Sequence, residues 1–186
     1  MRYQYRITKY DPSLRDSYGA FQNPDWTSYS DVGRIFGGVP LSEVGYLQVE
    51  ASYLFAVEAF LTEAKIGGLL LRGLENHTDR ELPSFIQPHA LLTVPQCVEF
   101  ARIALREIAW GKLVVPSRAY VHFGYDYYMY LGLPLQCPSA IAAAQKRGLF
   151  VEHCRSPYLR QRSNTALNLA PSGRWTLRDK APRSAG

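Results

Sequence analysis

The sequence has no apolar run near the roughly 18 residues that a bilayer-spanning helix requires. Its opening, Met1-Arg2-Tyr3-Gln4-Tyr5, carries a charge but no apolar stretch behind it, so a secretory signal is not expected. Cysteine is scarce, with Cys97, Cys137 and Cys154 only. An odd number at wide spacing fits neither a disulfide framework nor a paired metal-ligand motif. Gly-x-Ser-x-Gly, a phosphate-binding loop and Gly-x-Gly-x-x-Gly are all missing, which removes the local signatures of a nucleophile elbow and of nucleotide binding. No internal repeat occurs. These absences predict a cytoplasmic protein that meets no membrane and carries no metal or cofactor.

What is present is aromatic. The 186 residues include 13 Tyr, 8 Phe and 3 Trp. Tyrosine offers a large apolar surface with one polar end, which suits half-buried strands and interfaces alike. Charge is unevenly placed. Of 21 cations and 16 acids, seven cations and one acid lie from Arg155 onward, so residues 1–154 sit near −1 and the remainder carries +6. The high pI therefore belongs to the tail and not to the folding body.

Period-2 alternation over residues 2–9 predicts a strand, with Tyr3, Tyr5 and Ile7 on one face and a solvated face opposite. Ser30-Asp31 marks a short helical turn within an ambiguous stretch, and Gly37-Gly38 closes it. Ser42 caps a long helix that runs to about Lys65 and stops at Gly67-Gly68. The helix is apolar on most sides, as expected of a central element. A strand follows from Leu69, then a polar loop over 76–92.

Thr93 with Gln96 forms a capping box for a second helix. Its predicted buried stripe is Val94, Val98, Ala101, Leu105 and Ile108, with Glu99, Arg102 and Arg106 solvated. Residues 113–133 hold the densest strand signal, and Gly124-Tyr125-Asp126 reads as a bulge or bend, because a two-residue hairpin favours Asn-Gly or Asp-Gly. A short helix over 139–146 stops at Gly148, and 149–152 is a last strand. The order predicts an α+β domain over 1–158, a mostly antiparallel sheet with about three helices on one face. An irregular basic tail follows over 159–186.

Chemistry-bearing residues are sparse. His122 with Tyr120, Asp126 and Tyr128 offers a dispersed acid–base site, against the plainer reading of residues on a wet sheet face. His77 with Asp79, Arg80 and Glu81 has a polar-loop composition but no metal-site spacing. In the tail, Arg160, Arg162, Arg174, Trp175 and Arg178 interleave cations with an aromatic ring, a pattern that can hold a nucleic-acid backbone and stack on bases.

Three stretches of text carry a resemblance: Tyr5-Arg6-Ile7-Thr8-Lys9-Tyr10-Asp11-Pro12 with Asp25-Trp26-Thr27-Ser28-Tyr29-Ser30-Asp31; Phe123-Gly124-Tyr125-Asp126-Tyr127-Tyr128-Met129-Tyr130; and Gly148-Leu149-Phe150-Val151-Glu152 with Ser156-Pro157-Tyr158. They resemble a group of small bacterial proteins that look like immunity partners of polymorphic or contact-dependent toxins. The resemblance implies a non-catalytic protein that binds and neutralises a toxin domain. An inhibitor needs exposed aromatic and charged anchors on a rigid scaffold. The expected anchors are Trp26, Tyr29, Asp31, Tyr125, Asp126, Tyr128 and Tyr130. A body near −1 gives no support to mimicry of nucleic acid.

Overall fold

The computed structural model describes residues 1–18, Phe21 and 25–159; the tail residues Arg160, Arg162, Arg174, Trp175 and Arg178 lie outside them. Residues Tyr3–Thr8 form the first strand, β1, with Tyr5 and Ile7 buried as their alternation requires. Two short 3₁₀ turns follow, Pro12–Leu14 and Tyr29–Asp31. Strands β2 (Ile35–Phe36) and β3 (Val39–Pro40) then make a small hairpin across Gly37-Gly38.

Helix α1 spans Glu43–Glu63, and the Ser42 side chain accepts from the Gly45 N–H at 3.0 Å. A Cβ on Gly45 would lie 3.2 Å from that hydroxyl, so the glycine leaves room for its own cap. The remaining elements are β4 (Gly68–Asn76), β5 (Leu91–Thr93), α2 (Val94–Leu105), β6 (Ala109–Val115), β7 (Ala119–Phe123), β8 (Met129–Leu133), α3 (Pro138–Lys146) and β9 (Phe150–His153).

Seven strands form one antiparallel sheet in the order β5-β4-β6-β7-β8-β1-β9. The first strand of the chain thus lies between β8 and the last strand. Three helices pack against one face, and α1 touches both α2 and α3. The layers interlock through aromatic contacts, with Tyr5 against Phe60 at 5.8 Å and Phe100 against Phe123 at 6.2 Å. No helix among the described residues is long and apolar enough to cross a membrane.

Several expectations need correction. Gly124-Tyr125-Asp126 is not a bulge or bend within one long strand but part of a hairpin connection, because β7 and β8 are separate antiparallel strands paired from Tyr120–Gly132 to Phe123–Met129. Asp126 and Tyr127 both take left-handed φ, 57° and 61°, and the Tyr128 N–H donates to the Tyr125 carbonyl. The two central residues have the left-handed backbone of the turn whose twist matches a hairpin, built here from Asp-Tyr instead of Asn-Gly. The Gly124 N–H also donates to the Tyr128 carbonyl at 2.7 Å, so Gly124 and Tyr125 both face Tyr128 and one residue is extra on that side.

Helix α2 buries Cys97, Phe100 and Ala101 completely and Ile103 and Leu105 nearly so, while Val94 and Val98 are half-buried. Arg106 is not simply solvated. It grips the buried Glu50 of α1 with two hydrogen bonds, at 2.6 and 2.8 Å, and Arg102 pairs with the same carboxylate.

The second sheet face is not open either. The segment 154–159 crosses it, as the Ser156 contacts with Tyr120 and His122 show. Helix α1 ends before Gly67, in a Schellman turn with Lys65 at φ 55° and the Ile66 N–H donating to the Leu61 carbonyl.

Candidate partner-binding site

The tip of the β7–β8 hairpin is fastened from behind. Tyr127 carries a left-handed φ, which costs a non-glycine residue about 1–2 kcal/mol. Its side chain drops into the helical layer and donates to the Tyr46 hydroxyl, and the Tyr53 hydroxyl donates to the Tyr127 carbonyl at 2.7 Å. The rings of Trp26 and Tyr53 pack edge-on against it at 5.0 and 5.2 Å. Burial drives the Tyr127 hydroxyl far above the ordinary phenol range, so it stays protonated and can donate. On the outside of this anchored turn, Tyr125 is 85% exposed and Asp126 is exposed beside it.

Next to the tip opens a cleft of about 580 Å³. Its walls come from β4 and its end (Glu75, His77), the C-terminal end of α2 (Ala104, Glu107), β6 (Trp110), and the hairpin with the crossing segment (Tyr125, Tyr158). The Trp110 indole donates to the Phe123 carbonyl at 2.9 Å, which fixes its ring. The ring centroids of Trp110 and Tyr158 lie 5.9 Å apart. His77 is set by its N–H to the Ile108 carbonyl and by Nδ1 close to the Glu107 carbonyl, with Nε2 3.9 Å from Glu75.

Gly124 lets Tyr158 reach the hairpin. A Cβ there would lie 3.2 Å from the Tyr130 ring and 3.3 Å from the Tyr158 hydroxyl.

The other expected anchors are placed differently. Trp26 is 8% exposed and its ring is taken up by Lys9, Tyr46 and Tyr127. Tyr29 is partly exposed, standing edge-on to Tyr46 at 4.9 Å. Asp31 is buried. Burial opposes its charge, but the N–H groups of Thr27 and Ser28 and the Arg34 guanidinium prevail and hold its carboxyl below the usual range. Tyr128 is half-buried under Arg6 and packs with Tyr10 and Phe21, and Tyr130 stacks on Tyr128 at 6.5 Å. Of the seven, only Tyr125 and Asp126 stand at the mouth of the hairpin tip, while Trp26 helps to hold that tip from within.

His122 is 2% exposed. Its Nδ1 lies 2.8 Å from the Ser156 hydroxyl, and its ring stacks on Tyr120 at 4.4 Å. Burial, with Lys112 adding to it, pulls its pKa down to about 4, so the ring is neutral at pH 7. Ser156 Oγ also accepts from the Tyr158 N–H at 3.2 Å, so one hydroxyl joins the crossing segment's backbone to the His122 ring. A serine–histidine pair is two of the three members of a nucleophilic triad; here its hydrogen bond ties the crossing segment to the sheet. No hydrogen bond among the described residues joins His122 to Asp126 or Tyr128. No group of three or more metal-capable side chains occurs among the described residues.

Two polar centres escaped the sequence reading. Lys9 lies between the rings of Tyr10 and Trp26, 4.1 and 4.0 Å from their centroids, with Asp25 at 2.5 Å. Burial pulls its pKa down to about 8 against the pull of that carboxylate. Glu152 is held by two bonds from Arg15, both 2.7 Å, and two from Arg6, which together hold its carboxyl below the usual range. Both centres need partners from distant parts of the chain, so no local pattern announces them.

The three stretches that carry the resemblance converge in space. Strands β8, β1 and β9 are sheet neighbours, and Tyr158 closes on the hairpin that holds Tyr125. No protein-family model, no curated protein and no solved structure matches the chain.

Proposed function

We propose that this is a non-catalytic bacterial protein that binds and neutralises a toxin domain, as an immunity protein does, and that it meets its partner through the β7–β8 tip and the adjoining cleft. The observation that carries the reading is the placement of Tyr125. A large aromatic side chain is left 85% exposed on a turn whose backbone is strained and whose base is tied into the helical layer. Strained backbone persists where the surroundings over-determine it, and such positions cluster at functional sites. A rigid exposed aromatic beside a concave surface is the form that binding hot spots take. The partner protein is encountered in the cytoplasm.

The test is co-expression with the toxin domain encoded beside this gene. The wild-type protein restores growth and co-purifies with the toxin domain. Tyr125→Ala abolishes both while the thermal transition stays unchanged. If no adjacent gene product binds the wild-type protein, the reading fails.

A further inference from the structure

The cleft beside Tyr125 is built for positive charge. Two carboxylates, Glu75 and Glu107, stand in its wall. Helix α2 ends there, placing the negative end of its dipole at the same place. Four aromatic residues, Trp110, Phe123, Tyr125 and Tyr158, share the lining, and aromatic faces attract cations through their quadrupoles. The molecule already uses two of these rings in that way. Lys112 Nζ lies 5.4 Å from the Trp110 centroid and 5.7 Å from that of Tyr158, and it donates to the Tyr158 carbonyl. His77 is the only titratable nitrogen in the lining, and it stands beside Glu75.

From this lining we infer that the cleft takes an arginine or lysine side chain of the protein partner, which makes that side chain the partner's anchor residue. The inference rests on the reading above and narrows it to a chemistry. A guanidinium or ammonium entering the cleft would meet the Trp110, Tyr125 and Tyr158 rings and the Glu75 and Glu107 carboxylates in one lining. Exposed ion pairs contribute little singly, whereas an aromatic wall partly desolvates the cation and strengthens both terms. The body's net charge near −1 does not explain this preference, because the acidic groups matter here through their placement.

The experiment uses the full chain and small probes, so it does not depend on having the toxin. The indole N–H signal of Trp110, assigned with Trp110→Phe, is followed by NMR during titration with N-acetyl-arginine amide. N-acetyl-citrulline amide, a neutral probe of nearly the same shape, is the control. A saturable shift with the arginine probe, weakened about ten-fold in the Glu75→Gln/Glu107→Gln double variant and in 0.5 M salt, supports the assignment. Equal shifts from both probes, or none from either, overturn it.

The two failures can be told apart. If the toxin domain binds normally to the double variant, the charge assignment is wrong while the binding reading stands. If arginine binds but no toxin does, the reverse holds.

Discussion

The Tyr53 hydroxyl, on the central helix α1, donates to the main-chain carbonyl of Tyr127 at 2.7 Å, so the helical layer holds the hairpin tip by its backbone. Tyr53→Phe keeps the ring and deletes the bond. It leaves a buried carbonyl unpaired, at a cost of about 1–3 kcal/mol. The expected result is a lower melting temperature together with faster amide exchange over residues 124–128. Unchanged exchange there would show that the tip is held by packing alone.

The Arg106–Glu50 pair is a second such tie. Glu50 is 3% exposed and accepts two bonds from Arg106. Arg106→Met leaves the buried carboxylate with only the longer Arg102 contact at 3.7 Å and should destabilise by about 3 kcal/mol, near the lower end for a broken buried pair because Arg102 remains and Arg106 is itself partly exposed. Adding Glu50→Leu should recover a large part of that loss. Urea midpoints of the single and double variants check it; a double variant no better than the single refutes the account.

Acid should weaken the fold through His122. Its folded pKa lies near 4, below the ordinary 6.5, so between those values the unfolded chain binds more protons. Stability from this site is complete above about pH 6.5 and is lost as pH falls toward 4, by at most about 3 kcal/mol. Glu152, whose carboxyl is held low by Arg15 and Arg6, acts in the same direction at lower pH. The measurement is therefore a difference. The slope of stability between pH 6.5 and 4.5 should be shallower in His122→Phe than in the wild type.

Gly132 faces the Tyr120 ring so closely that a Cβ would lie 2.1 Å from it. Gly132→Ala must displace that ring, which stacks on His122 and bonds to Gln4 at 3.1 Å. A loss of about 1–3 kcal/mol is expected. Tyr120→Leu in the same chain should relieve part of the clash, and thermal melts of the two variants decide the matter.

Lys65 ends α1 in a left-handed conformation that suits glycine. Lys65→Gly removes the steric cost and adds chain entropy to the unfolded state, for a net gain of about 0.5–1 kcal/mol. A fall in melting temperature would mean that the lysine makes a compensating contact.

Local signals were legible where the chain caps itself. Ser42, the Thr93–Gln96 box and Gly148 stand where their residue types say they should. The α+β class and the three helices follow from these and from periodicity. The ends of α1 and α2 were less legible, because Lys65 and Glu107 take the position where glycine is the usual marker. Strand β5 is three residues long, and its Leu-Leu-Thr sequence does not alternate although the chain buries only Leu92 of the three.

The Asp126-Tyr127 turn was obscured for a different reason. Its left-handed backbone is stabilised by Tyr46 and Tyr53, which lie far away in sequence. The candidate site shows the same division. Tyr125 could be named from composition and text. The cleft beside it draws Glu75, Glu107, Trp110 and Tyr158 from separate elements, and only the fold brings them together.

The strand order also governs timing. Strand β1 leaves the ribosome long before β8 and β9, yet it pairs with both and with nothing made in between. Until those partners are synthesised, Tyr5 and Ile7 have no sheet to join, and the Arg6–Glu152 clasp cannot close. Contacts so far apart in sequence form slowly. The nascent chain therefore holds an unpaired, aromatic-rich strand until β8 and β9 have emerged, an exposed edge of the kind that invites association before folding is complete.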